Sequence, residues 1–451
     1  MILSAYNFTQ NNSSYALVFN ARTGAVVLFD IVNYRLFVKQ ALHPSIRKQL
    51  FELGLYVKDE VDEYDEIINY CKTRVLESHL NKYRILTTTG CNAKCPYCYE
   101  KGIAVHTMSC KIANKVADFI ISRANNNGRI QIEWFGGEPL LNTPAIDIIS
   151  NRIKKDKPSG VTFTSSIVTN ASLITDSLLK KFSSEWNVKR IQITIDGVGE
   201  EYVKVKGLGM DSFDHLVYVL SKLAGLDICI DIRFNFDKEN YHNIYSIARY
   251  FSTCSFKNKL SFYSAKIFST DTRRGYYDLE KEAIEVDSIL HDYGLLTGLQ
   301  LVPKVFNTGC MAIYPAFFTI DPQGRLFKCD RRLLDKNSIA SVNSYSPESF
   351  SVIDTSNFFK FDIKCKTCTL FPMCWGGCLY DREVGIYPCY LTERLVLEKL
   401  KLLLQDSCSM YNNGITVLSS GKRYLSARLN QVSYNCTTDG KQPVKFLVQG
   451  R

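Results

Sequence analysis

Residues 83–102 read YRILTTTGCNAKCPYCYEKG, a strand-like run that leads directly into three closely spaced cysteines. Cys91, Cys95 and Cys98 have the spacing C-x3-C-x2-C, so one short loop supplies three thiols. A [4Fe–4S] cluster has four irons and is usually held by four cysteines, so three thiols leave one iron open. A structural zinc site, the alternative, takes four ligands, commonly in two pairs, and fits this spacing less well.

The chain around this loop alternates short β-rich runs with amphipathic helical stretches between about residues 82 and 270. Such alternation indicates parallel βαβ units that close fully or partly into a barrel. We therefore predict an α/β fold with a partial (β/α)6 TIM-like barrel over residues 81–300. Chemistry in such barrels lies at the carboxyl ends of the strands, which is where the cysteine loop falls. The six predicted strands are YRILTTTG, IQIEWFGG, VTFTSSIVTN, VKRIQITIDG, DICIDIRFNF and KLSFYSAKIF.

With the aromatic residue Tyr97, the three cysteines resemble the C-x3-C-x-aromatic-C loop of radical S-adenosylmethionine (radical SAM) enzymes. The resemblance implies that the open iron chelates SAM and that reductive cleavage of SAM yields a 5′-deoxyadenosyl radical, which abstracts a hydrogen atom. It also implies that Tyr97 lies beside the adenine. In this chemistry the protein supplies ligation, orientation and exclusion of water.

The other predicted strand ends carry residues that the same resemblance assigns to SAM. Gly-Gly-Glu-Pro ends the second strand and resembles the turn that binds the SAM amine. Thr-Asn-Ala ends the third and is similar to the family's Thr-Asn-Gly, and Thr-Ile-Asp-Gly ends the fourth and is similar to Ser-x-Asp-Gly. At the end of the sixth strand, an isoleucine either packs against the adenine ring of SAM or belongs to the hydrophobic core. The residues concerned are Gly136, Gly137, Glu138, Thr169, Asn170, Thr194 and Ile267.

Two cations are candidates for the SAM carboxylate. Related peptide-modifying enzymes often place an arginine ten residues after the position of Asp196, and this chain has Lys206 there. Lysine keeps the charge but lacks the bidentate fork of arginine. Arg233, on the fifth predicted strand, is the alternative partner.

A second group of cysteines lies between residues 310 and 389. Cys310, Gly324 and Cys329 form a C-x13-G-x4-C pattern, and a C-x2-C-x5-C-x3-C-x10-C pattern follows. Together they resemble the SPASM extension, which carries two auxiliary [4Fe–4S] clusters and which we place at residues 301–406. The resemblance implies one cluster on four cysteines and another that is one thiolate short; a double zinc module is the alternative. The first set is Cys365, Cys368, Cys374 and Cys389, and the second is Cys310, Cys329 and Cys378.

The remaining segments and the overall composition indicate the domain organisation, the cellular setting and the partners to expect. Residues 1–80 read as a small α+β domain of the kind that precedes many peptide-modifying radical SAM enzymes, serving either to bind an extended peptide at a strand edge or to cap the barrel. Residues 407–451 are a basic tail. The 451 residues include 16 cysteines but show neither a secretory signal nor a membrane-length apolar run, so we expect a reducing, cytoplasmic setting and no membrane partner. The net charge of +10 is spread along the chain, which disfavours a nucleic-acid partner.

The resemblance implies a peptide maturase that holds three [4Fe–4S] clusters and SAM and crosslinks a ribosomally made precursor peptide through thioether, carbon–carbon or ether bonds. An external one-electron reductant such as a flavodoxin or ferredoxin is the second expected partner. The alternative within the enzyme class is an anaerobic sulfatase-maturing enzyme that forms formylglycine. In that relative an aspartate follows an auxiliary cysteine and takes the substrate proton, as Asp330 follows Cys329 here. The alternative from another class is a non-catalytic zinc-binding module.

Overall fold

The structure is a computed structural model. It describes residues 1–76, 80–124, 128–267, 279–305, 310–333, 338–344, 356–383, 385, 389–408, 414–420 and 445–446. Contacts divide the chain into two compact units. The first contains Met1–Arg74, Leu296–Cys310 and Ser356–Arg451, and the second contains Val75–Leu295 and Met311–Thr355. Most of the predicted tail, including Cys436, lies outside the described residues.

The described strands are β1 (Ile2–Leu3), β2 (Asn7–Asn11), β3 (Tyr15–Asn20), β4 (Ala25–Asp30), β5 (Tyr56–Val57), β6 (Leu80–Thr88), β7 (Arg129–Gly136), β8 (Thr162–Thr169), β9 (Val188–Thr194), β10 (Cys229–Phe236), β11 (Leu260–Lys266), β12 (Phe317–Ile320), β13 (Arg325–Phe327), β14 (Ala340–Ser341), β15 (Ile415–Ser420) and β16 (Lys445–Phe446). The described helices are α1 (Ile31–Val38), α2 (Pro44–Glu52), α3 (Glu63–Leu76), α4 (Cys110–Ser122), α5 (Thr143–Asp156), α6 (Asp176–Ser184), α7 (Glu200–Lys206), α8 (Ser212–Leu223), α9 (Ile244–Ser252), α10 (Glu280–Asp292), α11 (Phe371–Cys374), α12 (Leu379–Glu383) and α13 (Glu393–Cys408).

The second unit is built on a nine-stranded sheet with the order β11-β10-β9-β8-β7-β6-β12-β13-β14. Strands β6 to β11 are all parallel to their neighbours and follow chain order, with helices between them. The predicted α/β fold and its six strands are confirmed. The sheet continues beyond the prediction, because β12 pairs in parallel with β6 and is followed by the antiparallel strands β13 and β14.

The parallel strands have one apolar face and one polar face. In β7, Ile130, Ile132 and Trp134 are buried, whereas the alternate residues Gln131 and Glu133 are only half-buried. The same alternation runs through β8, β9 and β10. Because side chains alternate between faces of a strand, the polar positions share one side of the sheet. The side chains on that side are only half-buried, so it is partly accessible to solvent.

The first unit contains a five-stranded sheet with the order β16-β15-β4-β3-β2. Strands β3 and β4 form a hairpin around the Arg-Thr-Gly turn, and α2 begins at Pro44. Gly54 follows this helix with a φ of +84°, a left-handed conformation that glycine adopts without strain. Strand β15 pairs with β4, so the edge of β4 is already occupied and β2 is the end strand on the other side.

The contacts group the chain differently from the sequence-based boundaries at residues 80, 300 and 406. The N-terminal hairpin, the cysteines at 365–389 and strand β15 share the first unit. A pair of tilted aromatic rings joins α3 to the cysteine-rich segment within this unit, since Tyr64 and Phe371 have centroids 4.7 Å apart at an interplanar angle of 46°. No helix of the described residues is both long enough and apolar enough to cross a bilayer.

Candidate functional site

The cysteine loop is closed at its base by backbone bonds to the end of β6. The amide of Thr89 donates to the carbonyl of His106 at 2.9 Å, and the amide of Met108 donates to the carbonyl of Thr87 at 2.9 Å. Cys91 follows this closed base directly. These bonds fix both ends of the loop next to the sheet, and the loop lies at the carboxyl end of β6 as predicted.

The end of β7 lies against the backbone just ahead of the first cysteine. Gly137 donates its amide to the Thr88 carbonyl at 3.2 Å, and Glu138 donates to the Gly90 carbonyl at 2.9 Å. A Cβ atom on Gly137 would lie 2.3 Å from the Gly90 oxygen, and one on Gly136 would lie 2.1 Å from the Thr88 oxygen. The two glycines are therefore needed for the close approach of two backbones.

The carboxylate of Glu138 joins the ends of β7 and β8. Its side chain is fully buried, and Oε1 accepts from the Leu140 amide at 3.1 Å and from the Thr169 hydroxyl at 2.7 Å. Oε2 accepts from the Asn170 amide at 2.8 Å. Burial raises the pKa of Glu138 to about 7 even though these bonds act in the opposite direction. The group that the resemblance assigned to the SAM amine thus already bonds to the chain itself.

The end of β8 holds the cysteine loop through side-chain amides. Asn170 donates from Nδ2 to the Asn92 side-chain oxygen at 2.9 Å, and Asn92 donates to the Ser172 hydroxyl at 2.8 Å. Ala171 has a φ of +66°, which costs a residue with a Cβ about 1–2 kcal/mol. The chain therefore keeps, with alanine, the backbone conformation that glycine would adopt freely at this point of the family pattern.

The end of β9 contributes a buried charge pair. Lys206 Nζ lies 2.7 Å from Asp196 Oδ2, and their side chains are 3 % and 0 % exposed. Asp196 also accepts a hydrogen bond from the Tyr97 hydroxyl, and the Lys206 carbonyl accepts from the Lys94 amide at 2.7 Å. Burial is the largest single influence and lowers the pKa of Lys206, but the charges of Asp196, Tyr97, Cys95 and Tyr202 together outweigh burial and raise the pKa well above its usual value. Tyr97 and Lys206, both assigned to SAM from the sequence, are thus bonded to Asp196, to which sequence reasoning gave no role.

Arg233 occupies a different setting on the polar face. It is half-buried, and its Nε donates to the Asn235 side-chain oxygen at 2.7 Å. Arg233 lies beside Thr194 in the strand register, and within the described ranges it forms no ion pair. Ile267 is half-buried just after β11, with its amide bonded to the Phe236 carbonyl at 2.8 Å. Of the two predicted cations, Arg233 is the one whose charge is not already matched by a carboxylate.

Asp330 lies on the polar side of the sheet in a cluster with Arg84. Arg84 donates to Asp330 Oδ2 at 2.8 Å and to Glu133 Oε2 at 3.1 Å, and the Tyr99 hydroxyl is 3.3 Å from Asp330. Glu100 is buried nearby, and burial together with the charge of Asp330 raises its pKa to about 7. The sequence analysis named Asp330 but missed Arg84 and Glu133. The alternation of polar and apolar residues along β6 and β7 was the signal that could have found them.

Backbone amides are directed at sulfur in the cysteine loop. The Ala93 amide donates to the Cys91 sulfur at 3.3 Å, and the amides of Glu100 and Lys101 act on Cys98 in the direction that lowers its pKa. Burial nevertheless raises the pKa of Cys91 to about 11. A bound metal displaces such a proton outright, and amide donors stabilise the resulting thiolate. The donor set of this loop therefore fits an iron–sulfur cluster.

In the first unit, four cysteines line one cavity of about 180 Å³. This volume corresponds to about six water molecules, which is far more than a single metal ion occupies. The cysteines are the four that the SPASM resemblance assigned to one cluster. The lining residues are Lys364, Cys365, Cys368, Phe371, Cys374, Gly376 and Cys389.

A left-handed turn wraps around one of these sulfurs. Trp375, Gly376 and Gly377 have φ values of +51°, +66° and +82°. The Gly377 amide closes the turn by donating to the Cys374 carbonyl at 3.0 Å, and the amides of Gly376 and Gly377 partly offset the burial that raises the pKa of Cys374. A Cβ atom on Gly376 would lie 2.8 Å from the ring of Phe361, so both conformation and space favour glycine there.

No three cysteine, histidine or carboxylate side chains converge on a single metal-ion position in the parts of the chain that the structure describes. In a cubane each thiolate binds its own iron, so its ligands do not need to converge on one point. Cys310 and Cys378 belong to the first unit and Cys329 to the second. Their shared cluster stays a prediction.

Comparison with known proteins identifies relatives of both units. Residues 85–251 match the model of the radical SAM superfamily. The chain is 23 % identical over 327 residues to a cysteine-type anaerobic sulfatase-maturating enzyme of Clostridium perfringens, covering 66 % of this chain and 88 % of that protein. It is also 23 % identical over 402 residues to the radical SAM cyclopropyl synthase TigE of Paramaledivibacter caminithermalis, covering 78 % and 80 %.

A solved structure shares the fold. Native anSMEcpe with bound AdoMet aligns with a TM-score of 0.54 at 18 % identity, covering 73 % of this chain and 97 % of that chain. AdoMet is the same compound as SAM. The match extends well beyond residues 85–251, so the resemblance in fold is not confined to the barrel.

Proposed function

This chain is a radical SAM enzyme, and from that premise we propose that it matures a ribosomally synthesised peptide by hydrogen-atom abstraction. SAM and the cluster that binds it supply a 5′-deoxyadenosyl radical once an electron arrives. The product we propose is a crosslink, either a thioether, a carbon–carbon or an ether bond. Similarity to a sulfatase-maturating enzyme over 66 % of the chain and to a radical SAM cyclopropyl synthase over 78 % supports this class and the SPASM type inferred from the cysteines.

The observation that carries the proposal is the way in which the cysteine loop is held. Three thiols lie on one loop, and bonds from the end of β7, the end of β8 and the last residue of α7 fix it at Gly90, Asn92 and Lys94. A cluster that exchanges ligands at one iron must be held firmly through the others. The strand-end turns therefore act first on the loop itself, and their exposed groups are left to orient SAM.

We assign the SAM carboxylate to Arg233, with Thr194 beside it in the register. A guanidinium binds a carboxylate through two parallel hydrogen bonds, which a lysine cannot do. Lys206 is excluded from this role because its charge is buried against Asp196. Glu138 would hold the strand ends together, which leaves the backbone of the Gly-Gly-Glu turn for the SAM amine.

The polar side of the sheet is the proposed place for the peptide. Half-buried donors and acceptors project from alternate positions there, including Arg84, Glu133, Gln192 and Asn235. Such groups orient a substrate, while the surrounding walls keep water away from a reactive radical. The precursor peptide therefore has hydrogen-bonding partners next to the cysteine loop.

The four-thiol cavity of the first unit would hold one auxiliary cluster, closed by Cys365, Cys368, Cys374 and Cys389. Each crosslink is a two-electron oxidation, so one electron must leave the substrate after the hydrogen atom has been abstracted. An auxiliary cluster would supply a route for that electron. A second cluster on Cys310, Cys329 and Cys378, and an external flavodoxin or ferredoxin, complete the proposed electron path.

A specific observation favours formylglycine formation as the second candidate function. Asp330 is held 2.8 Å from Arg84 on the polar side of the sheet, and in this role its carboxyl group accepts a proton from a substrate thiol or hydroxyl. A sulfatase-maturating enzyme is also among the relatives that match most of the chain. In this reading Arg84 orients the base and Tyr99 donates a further hydrogen bond to it.

Anaerobic assays with two kinds of peptide separate these functions. A crosslinked precursor loses two hydrogen atoms and gives no fragments within the linked segment in tandem mass spectrometry. A cysteine peptide converted to formylglycine instead loses hydrogen sulfide and gains oxygen. Deoxyadenosine release with either peptide, absent when Cys91, Cys95 and Cys98 are replaced by alanine, supports the enzyme. Colourless protein that holds zinc and cleaves no SAM would overturn it in favour of the zinc module.

A further inference from the structure

A buried ion pair stands next to the cysteine loop. Lys206 and Asp196 are 2.7 Å apart and almost wholly removed from solvent. Moving two charges out of water is costly, so most ion pairs stay near the surface. The pair between Lys181 and Asp147, at a similar 2.8 Å, has side chains that are 32 % and 28 % exposed. Among the ion pairs of the described residues, Lys206 and Asp196 have the least exposed side chains, followed by Arg22 and Glu63 at 10 % and 8 %, and such burial calls for a functional explanation.

The pair is bonded to the cysteine loop on both sides of Cys95. The Lys206 carbonyl accepts from the Lys94 amide at 2.7 Å, one residue ahead of Cys95. The Tyr97 hydroxyl, two residues after it, bonds to Asp196 and lies 3.2 Å from Lys206 Nζ. Cys95 is thus held between Lys94, which is bonded to the backbone of Lys206, and Tyr97, which is bonded to the side chains of the pair. A movement of either charge would be transmitted directly to that thiol.

The pair also acts on the loop through its charges. Lys206 is close enough to Cys95 for their charges to interact, and in a buried site such interactions are weakly screened. Asp196 offsets the charge of Lys206 at a distance of one hydrogen bond. Reduction of a cluster adds negative charge at the thiolates, so each partner must influence how easily the reduction occurs.

We propose that Asp196, Lys206 and Tyr97 form a positioning triad that fixes Cys95 and sets the reduction potential of the SAM-binding cluster. The proposal rests on the proposed function only in requiring a cluster on Cys91, Cys95 and Cys98. It does not depend on which peptide is modified. It replaces the expectation that Lys206 binds the SAM carboxylate with an electrostatic role that is present before SAM arrives.

Opposite charge changes within the pair test the triad. Asp196→Asn leaves the charge of Lys206 unbalanced, so the potential of the reduced signal that responds to SAM should rise. Lys206→Met leaves Asp196 alone, so that potential should fall. Lys181→Met removes the charge of the solvent-exposed pair and is the matched control, with no shift expected. Potentials are read by electron paramagnetic resonance (EPR) during anaerobic titration of the full-length protein without SAM.

Further variants keep the test decisive if a charge change prevents cluster assembly. Lys206→Arg keeps the charge and should retain iron and a potential near that of the wild type. Tyr97→Phe keeps both charges but removes the hydroxyl, and should retain iron while changing the spectrum of the SAM-responsive cluster. An unchanged Tyr97→Phe spectrum would contradict the positioning role.

Different experimental results would overturn the triad and the proposed function. The triad alone is overturned if the wild-type protein cleaves SAM but the two charge changes do not shift the reduction potential in opposite directions. This is the case if Asp196→Asn and Lys206→Met both have the potential of Lys181→Met, or if both potentials shift in the same direction. Wild-type protein that holds no cluster on the loop overturns the proposed function, and the triad falls with it. Opposite shifts in the two variants support the triad.

Discussion

Replacing Gly137 with alanine should displace the cysteine loop. A Cβ atom at this position would lie 2.3 Å from the Gly90 oxygen, 2.6 Å from the Gly90 carbonyl carbon and 2.8 Å from the Thr89 oxygen. All three obstacles are backbone atoms, so no side chain can rotate away. Overpacking by a single group typically lowers the free energy of unfolding by about 1–3 kcal/mol. Because the obstacle here is rigid, we expect a loss of about 3 kcal/mol for this variant. For a unit of this size that corresponds to a decrease in melting temperature of about 6 °C or more.

Gly209→Ala is the matched control because a Cβ atom there meets nothing within 4 Å. Iron content, thermal unfolding and SAM cleavage are measured on both variants after identical anaerobic reconstitution. Gly137→Ala should lose iron from the SAM-binding site and cleave SAM much more slowly, because the first thiol follows the displaced Gly90 directly. Gly209→Ala should match the wild type. Equal iron content and equal cleavage rates in the two variants would refute the contact between β7 and the loop.

Three further predictions concern protonation, the four-thiol cavity and SAM binding. The pKa of Glu138 rises from 4.5 to about 7 on folding, so the native chain binds more protons than the unfolded chain between those pH values. The free energy of unfolding should therefore fall by about 3 kcal/mol as pH rises through this window, and Glu138→Gln should remove that part of the slope in chemical denaturation at several pH values. Cys365→Ser should lose about four irons per chain, whereas Cys254→Ser, outside every motif, should lose none; equal iron in both would contradict the cavity assignment. Arg233→Met should raise the Kd for SAM about 10- to 100-fold, the equivalent of one charge-assisted contact, and unchanged calorimetric affinity would exclude that contact.

The parallel strands were predictable from the sequence because their signal is local. In β7 and β10 apolar residues alternate with polar ones, and the apolar set is the buried one. The position of the cysteine loop followed from the first strand alone, since chemistry gathers at carboxyl ends in this architecture. Local pattern thus sufficed where each element buries one of its own faces.

Strands β12 and β15 could not be predicted in the same way. Phe317–Ile320 pairs with β6, and Ile415–Ser420 pairs with β4, each across more than two hundred residues. Pairing at such separations depends on which edge the rest of the fold leaves open, and a short apolar run carries no record of that edge. The joining of the chain's two ends into one sheet was therefore visible only in the structure.

The roles within the site were predictable by position but not by partner. Glu138 lies at a predicted strand end, Tyr97 in the loop and Lys206 at the end of α7, yet each bonds to the chain itself. A cation that could bind a ligand, judged from the sequence, is not available to do so when a buried carboxylate neutralises it, as Asp196 does for Lys206. Burial and partnership are properties of the packed structure, so a sequence motif alone could not separate Lys206 from Arg233.

The most direct test of the central claim is an EPR spectrum of the reduced protein before and after addition of SAM. If the loop of Cys91, Cys95 and Cys98 holds a cluster with one open iron, SAM must change the signal of that cluster. The change should disappear when the three cysteines are replaced by alanine, while the signal from the four-thiol cavity remains. A wild-type spectrum that SAM leaves unaltered would contradict the account.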